Sequence, residues 1–223
     1  MPDKPKILTP KASGKDVAHA AGRAALSAIP IAGGAAVEIF QHLIQPPLER
    51  RRIEWMDSVG QRLTELEEEG IRLESLSENE QFVSAVMSAS QVAIRTHQSE
   101  KLEALRNAVE NVARGQAPDE ALQHMFFGFV DTLVPLQIQM LRLFQAPPPM
   151  EGITMGGLST VLERNIPSLR GHRDIYDQFW RDLYARGLVN TDGLHTTMSG
   201  NGLSQKRTTS LGDQFLRFIT RPS

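Results

Sequence analysis

The side chains best suited to move a proton or hold a metal near neutral pH are six histidines: His19, His42, His97, His124, His172 and His195. They are scattered, with no ligand spacing between them. Cysteine is absent, which removes disulfides, thiolate metal sites and cysteine nucleophiles. The phosphate loop G-x-x-x-x-G-K-[ST], the nucleophile elbow G-x-S-x-G and the zinc helix H-E-x-x-H do not occur. Gly200-Asn201-Gly202 reads as a turn, Met155-Gly156-Gly157 lacks a following lysine, and Glu67 to Glu69 read as a solvated face. No metal, no cofactor and no catalytic residue is expected. The chain is expected to act by binding and not as an enzyme.

Two sets of residues could carry that binding. The first is apolar and lies in Asp16–Ile44, where no charge occurs from Ala24 to Val37 and the run is broken by Pro30 and Gly33-Gly34. Ala24, Leu26, Ile29, Pro30, Ile31, Gly33, Gly34 and Val37 are the expected contacts to a membrane or a protein partner. The second is basic: Arg170, Arg173, Arg181, Lys206 and Arg207 are the residues a nucleic acid would touch.

Residues 1–15, with three prolines and four lysines, read as a disordered basic arm. Residues 16–131 read as a helical bundle. It opens with a bent apolar hairpin over 16–44, because Pro30 and the glycine pair oppose a continuous helix. Pro46-Pro47 marks a new helix start, with Met56, Val59, Leu63 and Leu66 as one seam. Arg50 to Arg52 near its start and Glu67 to Glu69 near its end oppose the helix dipole. Ser77 and Glu80 have capping-box spacing, and Phe82, Val83, Val86, Ala89 and Ala93 follow on one face. Leu102, Leu105, Val109 and Val112 form another seam, stopped by Gly115; residues 78–114 fit one helix or two. Pro118-Asp119-Glu120 starts a helix carrying Leu122, Met125, Phe126, Phe127, Phe129, Val130 and Leu133, the expected centre of the core.

From residue 132 the pattern changes. A helix from Pro135 to the Ala-Pro-Pro-Pro linker, a second in MGGLSTVLERNI and a third in RDIYDQFWRDLYARG precede extended structure at Leu188-Val189. Asn201-Gly202 between LHTTM and LSQKRT predicts a β-hairpin, and Thr209 precedes a last helix. This order, with Leu183-Tyr184-Ala185-Arg186-Gly187-Leu188-Val189 and Thr209-Ser210-Leu211-Gly212, resembles bacterial winged-helix domains. The resemblance covers 132–223 and implies a winged-helix module with a small hairpin wing, a fold that hosts DNA readers and protein-interaction modules alike. On the third helix, Ile175, Tyr176, Phe179, Trp180, Leu183 and Tyr184 are the expected buried stripe. Asp174, Asp177, Gln178, Arg181, Asp182 and Ala185 are left outside. Three aspartates against one arginine disfavour a major groove, so a protein-interaction platform is favoured over a DNA reader.

Ser27-Ala28-Ile29-Pro30-Ile31-Ala32-Gly33-Gly34 resembles the apolar Gly-rich segments near the N-termini of bacterial abortive-infection and self-toxic proteins. That resemblance implies an effector directed to a membrane or a partner. Glu38 and Gln41 depart from it by shortening the apolar face. A DNA-binding regulator with a helical dimerising region, and a plain helical scaffold, stay open beside it. The bulk numbers fit all three: 223 residues, a net charge of −2, and 10 Lys and Arg against 7 Asp and Glu in 132–223. No uncharged run reaches the ~20 residues of a membrane span. A secretory leader is not expected, given Asp3, Asp16 and Pro30. The expected place is the cytoplasm, peripheral at the inner membrane if the hairpin engages lipid. A protein partner or a second copy is the expected partner.

Overall fold

The computed structural model describes residues 35–150 and 152–222. The basic arm over 1–15 and the predicted hairpin bend lie outside them. The chain divides into two compact units, Met1–Pro47 and Leu48–Ser223. The described part of the first unit holds α1 (Ala35–Leu43) and the first residues of α2 (Gln45–Glu68), whose first turn takes Pro46 and Pro47 where no intrahelical N–H is needed.

The second unit is mainly helical, as expected. After α2 come α3 (Leu73–Ser77), α4 (Glu80–Arg95), α5 (Ser99–Ala113), α6 (Glu120–Thr132) and α7 (Pro135–Gln145). Strand β1 (Met155–Gly156), α8 (Leu158–Asn165), a 3₁₀ turn (Pro167–Leu169) and α9 (Arg173–Ala185) follow. Strand β2 (Met198–Ser199), α10 (Gly200–Leu203) and α11 (Ser210–Phe218) complete it.

Residues 78–114 form two helices. Thr96 caps α4 in an extended conformation and breaks the run before α5. The start of α4 is set by Asn79, whose side chain accepts from the Phe82 N–H at 3.1 Å. Ser77 does not cap it, because that hydroxyl donates back to the Glu74 carbonyl inside α3. Gly115, at φ +67°, ends α5 as expected, with the Gln116 N–H reaching back to the Asn111 carbonyl.

The α2 seam runs as expected through Val59, Leu63 and Leu66 and differs at its first position. Trp55, Val59 and Leu66 are buried and Met56 is exposed, because the indole N–H reaches Ser90 on α4 at 2.8 Å and draws Trp55 inward. On α4, Phe82, Ala85, Ala89, Val92 and Ala93 are inside while Val83 is exposed. On α6, Phe126, Phe127, Phe129, Val130 and Leu133 are all buried, as the sequence predicts. Their rings meet α11: Phe126 lies 5.5 Å from Phe215 and 5.7 Å from Phe218, and Phe129 is edge-on to Phe215. Residues on both sides of position 131 thus share one core.

The predicted hairpin at 199–202 does not form. Gly200–Leu203 is a single helical turn, capped by the Ser199 hydroxyl, which accepts from the Gly202 N–H. A two-residue hairpin of the Asn-Gly kind needs positive φ at both central residues, and neither Asn201 nor Gly202 has it. Strand β2 pairs instead with β1, antiparallel, Met155 opposite Ser199 and Gly156 opposite Met198. A second antiparallel bridge, Val189 with Thr208, joins the segment after α9 to the one before α11, with the Asn190 N–H on the Arg207 carbonyl.

Candidate functional site

The surface around α9 is the candidate built from the C-terminal module. Pro167, the first residue of the 3₁₀ turn, and Gly171, at φ +77°, bring the chain to Arg173, and Gly187, at φ +71°, releases it. Helix α9 packs on α7, and its buried stripe is narrower than expected. Tyr176, Trp180 and Leu183 are inside, with Trp180 edge-on to Phe144 at 4.8 Å. Ile175 and Tyr184, expected to be buried, are 42% and 47% exposed. They stand at the two edges of a 180° apolar arc, and α7 covers only its middle.

Two of the three outward aspartates are already engaged. Asp177 Oδ1 stands 2.7 Å from His195 Nε2, its Oδ2 accepts from Arg173 Nε at 3.5 Å, and its backbone carbonyl accepts from Arg181 Nε at 3.2 Å. Asp182 accepts from Arg186 Nε at 3.0 Å and from Gln137 Nε2 at 2.8 Å. The middle of the outer face is left with Asp174, Gln178, Arg181 and Ala185, all exposed.

The structure places the five expected cations in two groups. Arg170 donates weakly to the Glu163 carbonyl at 3.5 Å, while Arg173 and Arg181 serve Asp177. Tyr176 donates to the Glu163 carboxylate at 3.0 Å; burial and that acceptor push its phenol up to about 12. Lys206 and Arg207 belong to the other group and have structural partners. Lys206 Nζ binds Asp213 at 2.5 Å, and Arg207 Nη2 donates to the Gly202 carbonyl at 2.5 Å. Burial alone would raise the Asp213 carboxyl, but hydrogen bonds from Lys206, Thr208 and Gln145 outweigh it and hold the group below its usual range.

Of the expected apolar contacts, Ala24, Leu26, Ile29, Pro30, Ile31, Gly33 and Gly34 lie outside the described residues, as does the Val37 side chain on α1. The side chains of α1 from Ile39 onward, and that of Ile44 after it, are described. Ile39 and Leu43, four residues apart on one face, are 58% and 65% exposed, and Ile44 is exposed too. No helix among the described residues is long and apolar enough to cross a membrane. No group of three or more acids and histidines among them could hold a metal.

Sequence reasoning missed a buried carboxylate. Glu110 on α5 is 1% exposed, with Arg114 at 2.8 Å from Oε1 and Arg62 at 3.2 Å from Oε2. The Arg62 contact is an ion pair outside hydrogen-bond alignment, so Oε2 has a charge partner and no aligned donor. Arg114 also meets Glu69 at 2.5 Å, so the acids closing α2 against its dipole are answered by a cation from α5. A scan against family models, a search of curated proteins and a search of solved structures each find no match.

Proposed function

We propose that this chain works by binding, as an effector or regulator of the abortive-infection type, its apolar N-terminal stretch engaging a membrane surface or a protein partner. One observation carries this reading: Ile39, Leu43 and Ile44, which follow the uncharged run 24–37 after the single charge of Glu38, are exposed. An exposed stripe of this kind is favourably covered by lipid or protein. The C-terminal module then serves as the protein-interaction platform. Flotation with anionic liposomes tests it. The wild type is expected to float, while Ile31→Glu and Leu43→Glu stay at the bottom. If the wild type stays down and light scattering shows a monomer that gains no partner, this reading fails.

A second reading, a winged-helix DNA binder, gains support from one arrangement. The three helices α7, α8 and α9 and the antiparallel 189–208 bridge before α11 resemble parts of a winged helix, with β2 and the helical turn α10 standing in place of a wing hairpin. With Asp177 and Asp182 held by intramolecular cations, the outer face of α9 is less acidic than its sequence. Gel shifts across a salt series discriminate: phosphate binding weakens steeply with salt. No shift at low salt removes this reading.

A further inference from the structure

Helices α2 and α4 run antiparallel. Trp55 meets Ser90, while Arg51, nearer the start of α2, lies with Thr96 and His97 past the end of α4. Their outer sides carry Ile53 and Met56, three residues apart on α2, and Val83 and Met87, four apart on α4. Each of the four is about half exposed. Most charges of α2 are answered within the chain. Glu69 has Arg114, Arg52 has Glu49, and Glu65 has Arg62 and Arg221. Arg50, Glu67 and Glu68 are exposed and have no ion-pair partner among the described residues. Glu68 follows Arg50 by about five helical turns, so the two share a face with Ile53 between them. A cation near the start of a helix and acids at its end both oppose the dipole.

We propose that this face pairs with the same face of a second copy, the two α2 helices antiparallel across a two-fold axis. That arrangement brings Glu67 and Glu68 of one copy to Arg50 of the other, twice over, and gives each helix start an acid and each helix end a cation. The register that sets Arg50 opposite Glu68 also sets Asp57 opposite the amide of Gln61. Its axis passes α2 near Val59. Because Trp55 is level with Ser90, the same axis passes α4 near Val86, beside Met87, which then packs close to its own copy. A face of two helices, roughly 30 Å by 20 Å, covers on the order of 500 Å² per copy, which suits a reversible dimer and not an obligate one. An anionic bilayer is the poorer occupant, since Asp57, Glu67 and Glu68 would face it. The proposal is independent of what the N-terminal stretch binds.

Sedimentation velocity of the full chain, from dilute solution into the micromolar range, should show a monomer–dimer equilibrium. Arg50→Glu, and separately Glu67→Arg with Glu68→Arg, should each weaken the dimer on the order of tenfold, because both intermolecular pairs become repulsive. Either change improves the match of α2 to its own dipole, so loss of the dimer is not loss of the helix. All three changes in one chain should restore association. Mixing the two variants should restore it too, because charges then match at both ends of an antiparallel pair. Met87→Glu should weaken the dimer about tenfold or more, with circular dichroism unchanged. Leu43→Glu, which disables the N-terminal stretch instead, should leave the dimer intact. The proposal is overturned if the wild type stays a monomer at every concentration, if the charge variants keep wild-type association, or if matched charges restore nothing. A monomer that floats with liposomes and ceases to do so in Met87→Glu would overturn it in favour of lipid.

Discussion

His195 Nε2 stands 2.7 Å from Asp177 Oδ1, and through this contact the loop after α9 folds back on the helix it has just left. The pair also withdraws one of three aspartates from the face that would meet a partner. Both side chains are about one-third exposed or less, so water competes only in part. A double-mutant cycle of His195→Ala and Asp177→Asn, read by urea unfolding, should give a coupling of about 0.5–1.5 kcal/mol. Strict additivity would show that the loop is held by its backbone alone.

Helix α11 ends against α5 without a glycine cap. The Asn111 amide nitrogen lies 2.9 Å from the carbonyls of both Phe218 and Thr220, and Asn107 donates to the Ile219 carbonyl at 3.1 Å. Orphan carbonyls at a helix end need donors, and here side chains from another helix provide them. Asn111→Ala removes these donors, leaving the buried Phe218 carbonyl short of one, and should cost about 1–3 kcal/mol. Asn111→Asp should cost more, because it turns a carboxylate toward carbonyl oxygens. Urea midpoints of the two variants check the order.

Two glycines should respond to alanine with opposite signs. A β-carbon at Gly212 would stand 2.3 Å from the Leu188 carbonyl oxygen, where α11 starts against the segment leaving α9. That backbone cannot move without breaking the Val189–Thr208 bridge, so Gly212→Ala should destabilise by about 1–3 kcal/mol. Gly60, inside α2, has nothing within 4 Å of the same position. Gly60→Ala should therefore stabilise by up to about 1 kcal/mol through helix propensity. Thermal unfolding of both variants beside the wild type tests the pair.

What could be read from the sequence was whatever has a local cause. Pro135, Asp119 and Thr209 start α7, α6 and α11 where expected, because caps and first-turn prolines act within a few residues. The phenylalanines of α6 are central because their helix is apolar over a wide arc. Failures came where a distant partner decides. Trp55 displaces Met56 from the seam because Ser90 waits on α4, and Glu110 is buried because Arg62 and Arg114 meet it. At 199–202 two local signals competed, and the Ser199 cap prevailed over the Asn-Gly turn. The α9 surface was legible only in residue types. Arg173–Asp177 and Asp182–Arg186 have the four-residue spacing of helical ion pairs and could have been paired in advance. His195 and Gln137 could not.

Asp213 joins the segment before α11 to its first turn, accepting from Lys206 and, at 2.6 Å, from the Thr208 hydroxyl. Its carboxyl is held below its usual value of 3.8, so the unfolded chain takes up its proton first as pH falls. The stabilisation is therefore fully present above that usual value. It is lost as pH falls through the lower folded value, when the native carboxylate is also protonated. Asp213→Asn removes the charge at every pH and should destabilise the protein most at neutral pH. Urea unfolding from pH 7 down to about 3 should show the wild-type and variant curves converging at the acid end. A gap that stays constant would mean that shape at this position matters and its ionisation does not.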